Sequence, residues 1–192
     1  MPRIILIRHG RPAVALTGKA RARELAGIAR AYQNADIVDM PPPATLAIAA
    51  GAKRAVCSDL PRARQSARAL GFDDRQAAEA VFREAALPHF SSGALKLPIS
   101  VWLTLLRLAW LAGYARNGES YRNARCRARI ATQRLIGLAA EFEPVVLVGH
   151  GVINYLIARE LRAQGWSGPA KPDHDFWAFA VYQRPGTGSV GD

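Results

Sequence analysis

Two stretches of the chain end in the same pair of residues. "IILIRHG" closes on His9 and Gly10, and "VVLVGHG" closes on His150 and Gly151. The chain has only four histidines, so two at the ends of aliphatic runs ask for a common explanation. Each run reads as a parallel strand buried on both faces. In open α/β sheets, ligands bind just beyond the carboxyl ends of the strands. If the two strands are neighbours, His9 and His150 emerge side by side at one sheet edge. Gly10 and Gly151 let the backbone turn sharply and approach a ligand there. The amides that open the helix after Gly151 aim at the same place, which makes an anion site.

A second stretch, "SDLPRARQSA", puts Arg62 in the first turn of a helix directly after a strand. A cation is disfavoured there, because a helix N-terminus already carries partial positive charge. Local rules are most often broken at functional sites, and an anion at the strand edge would remove the conflict. Arg8, His9, Arg62 and His150 together form a cluster whose burial without an anion is costly. Its natural occupant is a phosphoryl group gripped by forked guanidinium contacts. No Walker-type loop, cysteine nucleophile or metal-ligand spacing competes for the site, so the expected chemistry needs neither metal nor cofactor. A histidine flanked by arginines stays neutral and keeps one ring nitrogen free to attack. The competing reading is two unrelated surface histidines.

The elements that must position these groups alternate as in an α/β domain. A strand over Arg3–Arg8 is followed by a helix near Thr17–Tyr32, and "MPPP" precedes a short Ala-rich helix. "RAVCSD" is the second strand, and Pro61 suits the first turn of the helix after it. "EAVFREA" reads as a short extended segment carrying Glu84. Helices at about 100–111 and 118–142 come next. The second shows one apolar stripe through Tyr121, Ala124, Ala128, Ala131, Leu135, Leu138 and Phe142. "PVVLVGH" is a strand, a helix covers Val152–Ala163, and "DFWAFAVYQR" is the last strand. One domain over residues 1–192 is expected: a three-layer sandwich with a mostly parallel sheet, helices on both faces and a small helical cap. The cap is placed at residues 90–117, and residues 186–192 read as a frayed tail.

The net charge of +11 comes mainly from arginine. Nucleic-acid binding, attraction of small anions and a solvated basic face compete to explain it. No nucleic-acid signature is present, so a small phosphorylated substrate is the favoured partner. Cys57 and Cys126 have no metal or disulfide spacing. The apolar stretch 98–113 is too short to span a membrane and contains Arg107; it could be core, substrate wall or homodimer contact, with core the default for its aromatics. The first residues already read as a strand of the fold, and the expected location is cytoplasmic.

These motifs resemble those of the histidine phosphatase superfamily, also called phosphoglycerate mutase-like. "LIRHG", "SDLPRARQSA", "FREA", "NGES" and "LVGHG" match its segments in order and cover most of the chain. The resemblance implies that His9 is the nucleophile and becomes a phosphohistidine, with His150 completing the catalytic set. It implies a phosphate pocket of Arg8, Arg62, His150 and Gly151. It makes Glu84 the proton donor to the leaving oxygen and then the base for water; the competing reading pairs Glu84 with Arg83 at the surface. Arg11-Pro12 after the first motif, and the lack of a glycine and tryptophan after Glu84, depart from the family pattern on the substrate side. Arg11, His89 and His174 are candidate rim residues, each with a surface reading beside it. The compact chain resembles the phosphatase branch. A mutase-type transfer and a non-catalytic phosphate-binding module are the alternatives.

Overall fold

The computed structural model describes residues 1–73 and 78–185. In chain order the first half holds β1 (Arg3–Arg8), β2 (Lys19–Arg21), α1 (Leu25–Gln33), α2 (Pro43–Ala50), β3 (Arg54–Ser58), α3 (Pro61–Ala69) and β4 (Ala78–Glu79). The second half holds β5 (Lys96–Pro98), α4 (Ile99–Leu111), α5 (Tyr121–Glu141), β6 (Val145–Gly149), α6 (Gly151–Ala163) and β7 (Phe179–Gln183).

The central sheet has the order β4-β3-β6-β1-β7, with only β7 antiparallel to its neighbour. The unbroken aliphatic runs of β1 and β6 follow from this placement, since both faces are covered. Ile4 and Leu6 pack with Ala128, Leu135, Ile153 and Ile157 of α5 and α6. Ile5 and Ile7 face the opposite way, toward Ala49 of α2 and Ala67 of α3. The result is the expected three-layer sandwich. Strands β1 and β6 pair in parallel with Arg8 opposite Gly149, so the next residues, His9 and His150, leave the sheet together.

A third apolar cluster lies apart from the sheet. It joins Ala20 and Leu25 to Ile99, Trp102 and Leu106, and the Trp102 indole donates to the Ala20 carbonyl at 2.9 Å. This cap is larger than the expected 90–117 segment. It also takes in β2, which pairs antiparallel with β5, and α1. The expected helix from Thr17 therefore starts late. Gly18 has φ 81°, and Ala22 donates to the Leu95 carbonyl at 3.0 Å, so this backbone finds its partners across a ribbon. A 3-10 turn over Ala22–Glu24 then leads into α1. Helix α4 buries Trp102 and Trp110 and exposes Val101, Leu105, Leu108 and Leu111. Helix α5 buries the predicted stripe from Ala124 to Leu138, while Tyr121 is half-buried and Phe142 lies exposed just past the helix end. No helix among the described residues is long and apolar enough to cross a membrane. The expected tail at 186–192 lies outside the described residues.

The last strand starts later than the sequence suggests, at Phe179, because Trp177 sits in the left-handed region at φ 65°. That conformation is strained for a bulky residue and is held by its surroundings. The Trp177 N–H donates to the Arg8 carbonyl, its own carbonyl accepts from Thr45, and its indole donates to Asp39 Oδ1 at 2.9 Å. The ring lies so close over Gly10 that a Cβ there would sit 2.5 Å from Trp177 Cζ2 and 2.8 Å from Asp39 Oδ1. Gly10→Ala must push this buried indole aside. We expect it to destabilise the fold by about 1–3 kcal/mol in urea unfolding; an unchanged midpoint would contradict the packing described.

Candidate active site

The site forms where β1, β6 and β3 end. His9 and His150 are buried, with ring centroids 4.9 Å apart in an edge-on arrangement. His9 Nδ1 lies 2.7 Å from the Gly10 carbonyl oxygen. A carbonyl only accepts, so this bond fixes the proton on Nδ1 and leaves Nε2 with its lone pair. The Arg62 Nε–H donates to that Nε2 at 3.2 Å. The backbone turn is braced as well, since the Gly10 N–H donates to Ser66 Oγ and the Arg11 N–H to Asp39 Oδ1.

Arg62 does sit in the first turn of a helix, as its position after Pro61 suggests. Its side chain is only 1 % exposed. One terminal nitrogen donates to the Tyr32 and Gln33 carbonyls at 2.9 and 3.2 Å, and the guanidinium lies 4.8 Å from the Tyr32 ring centre. Burial pulls its pKa below the ordinary value, while Tyr32 and Glu84 oppose that shift. Arg8 donates to the backbone carbonyl of His174 and stacks 4.4 Å from the centre of the Phe176 ring. Among the described residues, Arg8 Nε and both ring nitrogens of His150 are buried without a hydrogen-bond partner. Groups of this kind are rare in a folded interior and call for a partner.

Burial, then Arg62 and Arg8, brings His9 down to about 3 against the backbone bond to Gly10, which opposes the shift. Burial first, followed by His9, Arg62 and Arg8, holds His150 well below its ordinary 6.5. Both rings are thus neutral near pH 7, which a nucleophilic imidazole needs.

Glu84 reaches the same place from the segment after β4. Its Oε1 accepts from the Ile153 N–H at 3.0 Å and its Oε2 from the Val152 N–H at 3.2 Å. Here the structure corrects the sequence reading: these amides at the start of α6 are taken by the Glu84 carboxylate instead of facing an open anion site. Glu84 is not paired with Arg83 either, because Arg83 makes a forked bond to Asp59 at 2.6 and 2.7 Å. Gly151 stands between the two charges. A Cβ on it would lie 3.8 Å from Arg8 Cζ and 4.0 Å from Glu84 Oε2.

The three rim candidates fare differently. Arg11 is exposed, 5.8 Å from the Phe176 ring centre and 3.9 Å from Asp39. His89 lines the cavity that opens from Arg8 and Arg62. His174 contributes its carbonyl to Arg8, a backbone contact in place of the expected ring. Sequence reasoning missed Phe176, which touches Arg8 and lies 5.7 Å from His9. It also missed Arg127, whose guanidinium forks onto Glu119 and donates to the carbonyls of Val81 and Arg83, just before Glu84. The "NGES" stretch thereby positions the carboxylate. An arginine in an Arg-rich helix carries no signal of this, and Phe176 falls in a stretch with the pattern of a strand.

A buried histidine pair, two converging arginines and a carboxylate at a sheet edge can hold a phosphoryl group and attack it. The model of the histidine phosphatase superfamily (branch 1) matches residues 44–184, most of the chain. The chain belongs to this superfamily. The matched span begins after His9, so the first motif stands on its own geometry. Solved structures share the superfamily's fold at low identity. The protein of open reading frame Rv3214 from Mycobacterium tuberculosis is 14% identical, with a TM-score of 0.60 over 93% of this chain and 89% of that one. The mycobacterial glucosyl-3-phosphoglycerate phosphatase is 22% identical, with 0.56 over 83% and 79%. TTHB049 from Thermus thermophilus is 22% identical, with 0.51 over 83% and 85%. No curated protein matches the chain in sequence. Among the described residues no cluster of His, Cys, Asp and Glu could hold a metal ion.

The neutral histidines of this superfamily member have a consequence for stability. Both are depressed in the folded state, so the unfolded chain takes up protons first as pH falls. Stability is full above about pH 6.5 and is lost as pH drops from there toward 3. His9 should remove about 2 kcal/mol between pH 7 and pH 5, and His150 adds to the loss in the same direction. Urea unfolding at the two pH values measures this, and His9→Asn should lessen the fall. A stability that is flat across this window would refute the assignment.

Proposed function

We propose that the protein is a phosphomonoester hydrolase that works through a phosphohistidine on His9. The observation that carries this reading is the tautomer of His9. Its Nδ1–H is held by the Gly10 carbonyl, so the free lone pair on Nε2 faces the arginines. The ester's phosphoryl group lies against Arg8, Arg62, His150 and the backbone at Gly151, and it gives the unpartnered Arg8 Nε–H and the one protonated ring nitrogen of His150 their acceptor. The Arg62 Nε–H moves from His9 to a phosphoryl oxygen and uncovers Nε2.

In the first step Nε2 forms a bond to phosphorus as the P–O bond to the alcohol breaks. Glu84, entering as the acid, gives its proton to the leaving oxygen. The ring becomes cationic, and the Gly10 carbonyl on Nδ1–H stabilises that charge. In the second step water attacks phosphorus in line, Glu84 takes its proton, and the N–P bond breaks to release inorganic phosphate. Dividing the transfer in two and spreading positive charge around the phosphoryl oxygens is what such a site contributes. The α6 amides that grip Glu84 hold its carboxyl group in one place for both proton transfers.

Two variants test the roles. His9→Ala should abolish both acid-labile labelling from a phosphate monoester and phosphate release. Glu84→Gln should lower turnover of an alkyl phosphate by about 10²–10⁴-fold. It should spare the phosphorylation step with an aryl phosphate whose leaving group needs no proton. Turnover by His9→Ala at the wild-type rate would overturn the reading. Transfer to a sugar-acid hydroxyl that outruns hydrolysis would replace it with a mutase.

A further inference from the structure

A cavity of about 610 Å³ opens from Arg8, Arg62 and Glu84 and runs between the body and the cap. This is the size that accepts a compact organic ligand. Past the charged end its walls are apolar. Leu25 and Ile28 come from α1, Trp102, Leu103 and Leu106 from α4, and Leu87 from the segment after Glu84. Its other polar lining groups are Arg30, Gln33, Arg107 and Asn117, which are exposed, and Tyr32 and His89, which are half-buried. The buried residues of the cap, Leu25, Ile99, Trp102 and Leu106, present no charge to the interior, and the one indole N–H among them is spent on the Ala20 carbonyl.

A sugar or sugar-acid phosphate brings several hydroxyls, and each needs a partner once it leaves water. Away from Tyr32 and His89, the leucine, isoleucine and tryptophan side chains of α1 and α4 offer none, and an unpaired buried hydroxyl is penalised. An alkyl or aryl group loses nothing there and gains from burial. We propose that the substrate is a phosphate monoester of an apolar alcohol, with its phosphate at Arg8, Arg62 and His9 and its hydrocarbon against the apolar side chains of α1 and α4 that line the cavity. The proposal rests on the phosphatase reading for turnover, while the binding preference follows from the cavity alone.

The test is a series of linear alkyl phosphates from methyl to octyl, kept below micelle-forming concentrations. The value of kcat/KM should climb by about fourfold for each methylene that enters the cavity, then level off. Glycerol phosphate should fall well below propyl phosphate, although the chains match in length. Ile28→Gln and Leu103→Gln, one from α1 and one from α4, should each cut the octyl-to-methyl ratio at least tenfold in protein that still melts cooperatively. A flat series, or a preference for the hydroxylated ester, would overturn the proposal. Calorimetric binding of the matching alkylphosphonates keeps the two readings apart. Tighter binding with chain length, but no ester turned over, would sink the phosphatase reading and leave the apolar cavity standing. Brisk hydrolysis with no dependence on chain length would do the reverse.

Discussion

The site depends on one pairing, the parallel register of β1 with β6. Arg8 lies opposite Gly149, and the His9 N–H extends the ladder one step to the Gly149 carbonyl at 3.0 Å. A shift of one residue would turn every side chain of β1 to the other face of the sheet. It would pull Ile4 and Leu6 from one core and Ile5 and Ile7 from the other, and it would part the two histidines. Eight buried aliphatic residues, four from each strand, thus hold His9 and His150 at the same level. Asn154 ties the ends together by donating to the Ile7 carbonyl at 3.2 Å. Gly149 has room for no side chain beside it, since a Cβ would meet Asn154 Oδ1 at 2.3 Å.

On this frame the protein assembles an excess of positive charge and keeps it tolerable. Arg62 is buried, but its guanidinium is spent on two carbonyls, an aromatic face and a neutral ring nitrogen. Arg8 leans on the Phe176 ring and a carbonyl. The two histidines relieve the repulsion by remaining uncharged. Glu84, fastened to the start of α6, is the nearby anion that balances Arg62. Such a pocket is preorganised: the dipoles that a phosphoryl group needs are set before it arrives. The strained Trp177 and the Arg127–Glu119 fork are the supports behind it, one beside the turn that carries His9 and the other beside Glu84.

Much of this was legible in the chain. Aliphatic runs covered on both faces announce themselves, and the apolar stripe of α5 matched its buried residues closely. Arg62 drew attention because a cation in a first helical turn is out of place. The parts that escaped notice are those where partners come from far away. Segment 17–24 looked helical because its ribbon partner, residues 95–98, lies in another part of the chain. Glu84 could be seen as a carboxylate near an arginine, but only the fold brings the α6 amides to it. The apolar cavity was hidden for a further reason. Leu25, Leu87 and Leu106 have the same hydrophobic signature whether they fill a core or line a space, and sequence pattern does not tell the two apart.

The state of His9 is where the account is most exposed. Long-range proton–nitrogen NMR on protein labelled with ¹⁵N in its histidines reads the two ring nitrogens separately. The account predicts that His9 carries its proton on Nδ1, with Nε2 as an unprotonated nitrogen, and that this pattern holds unchanged from pH 8 down to pH 5. A proton on Nε2, or a titration of His9 with its midpoint near the ordinary 6.5 of an exposed histidine, would contradict it.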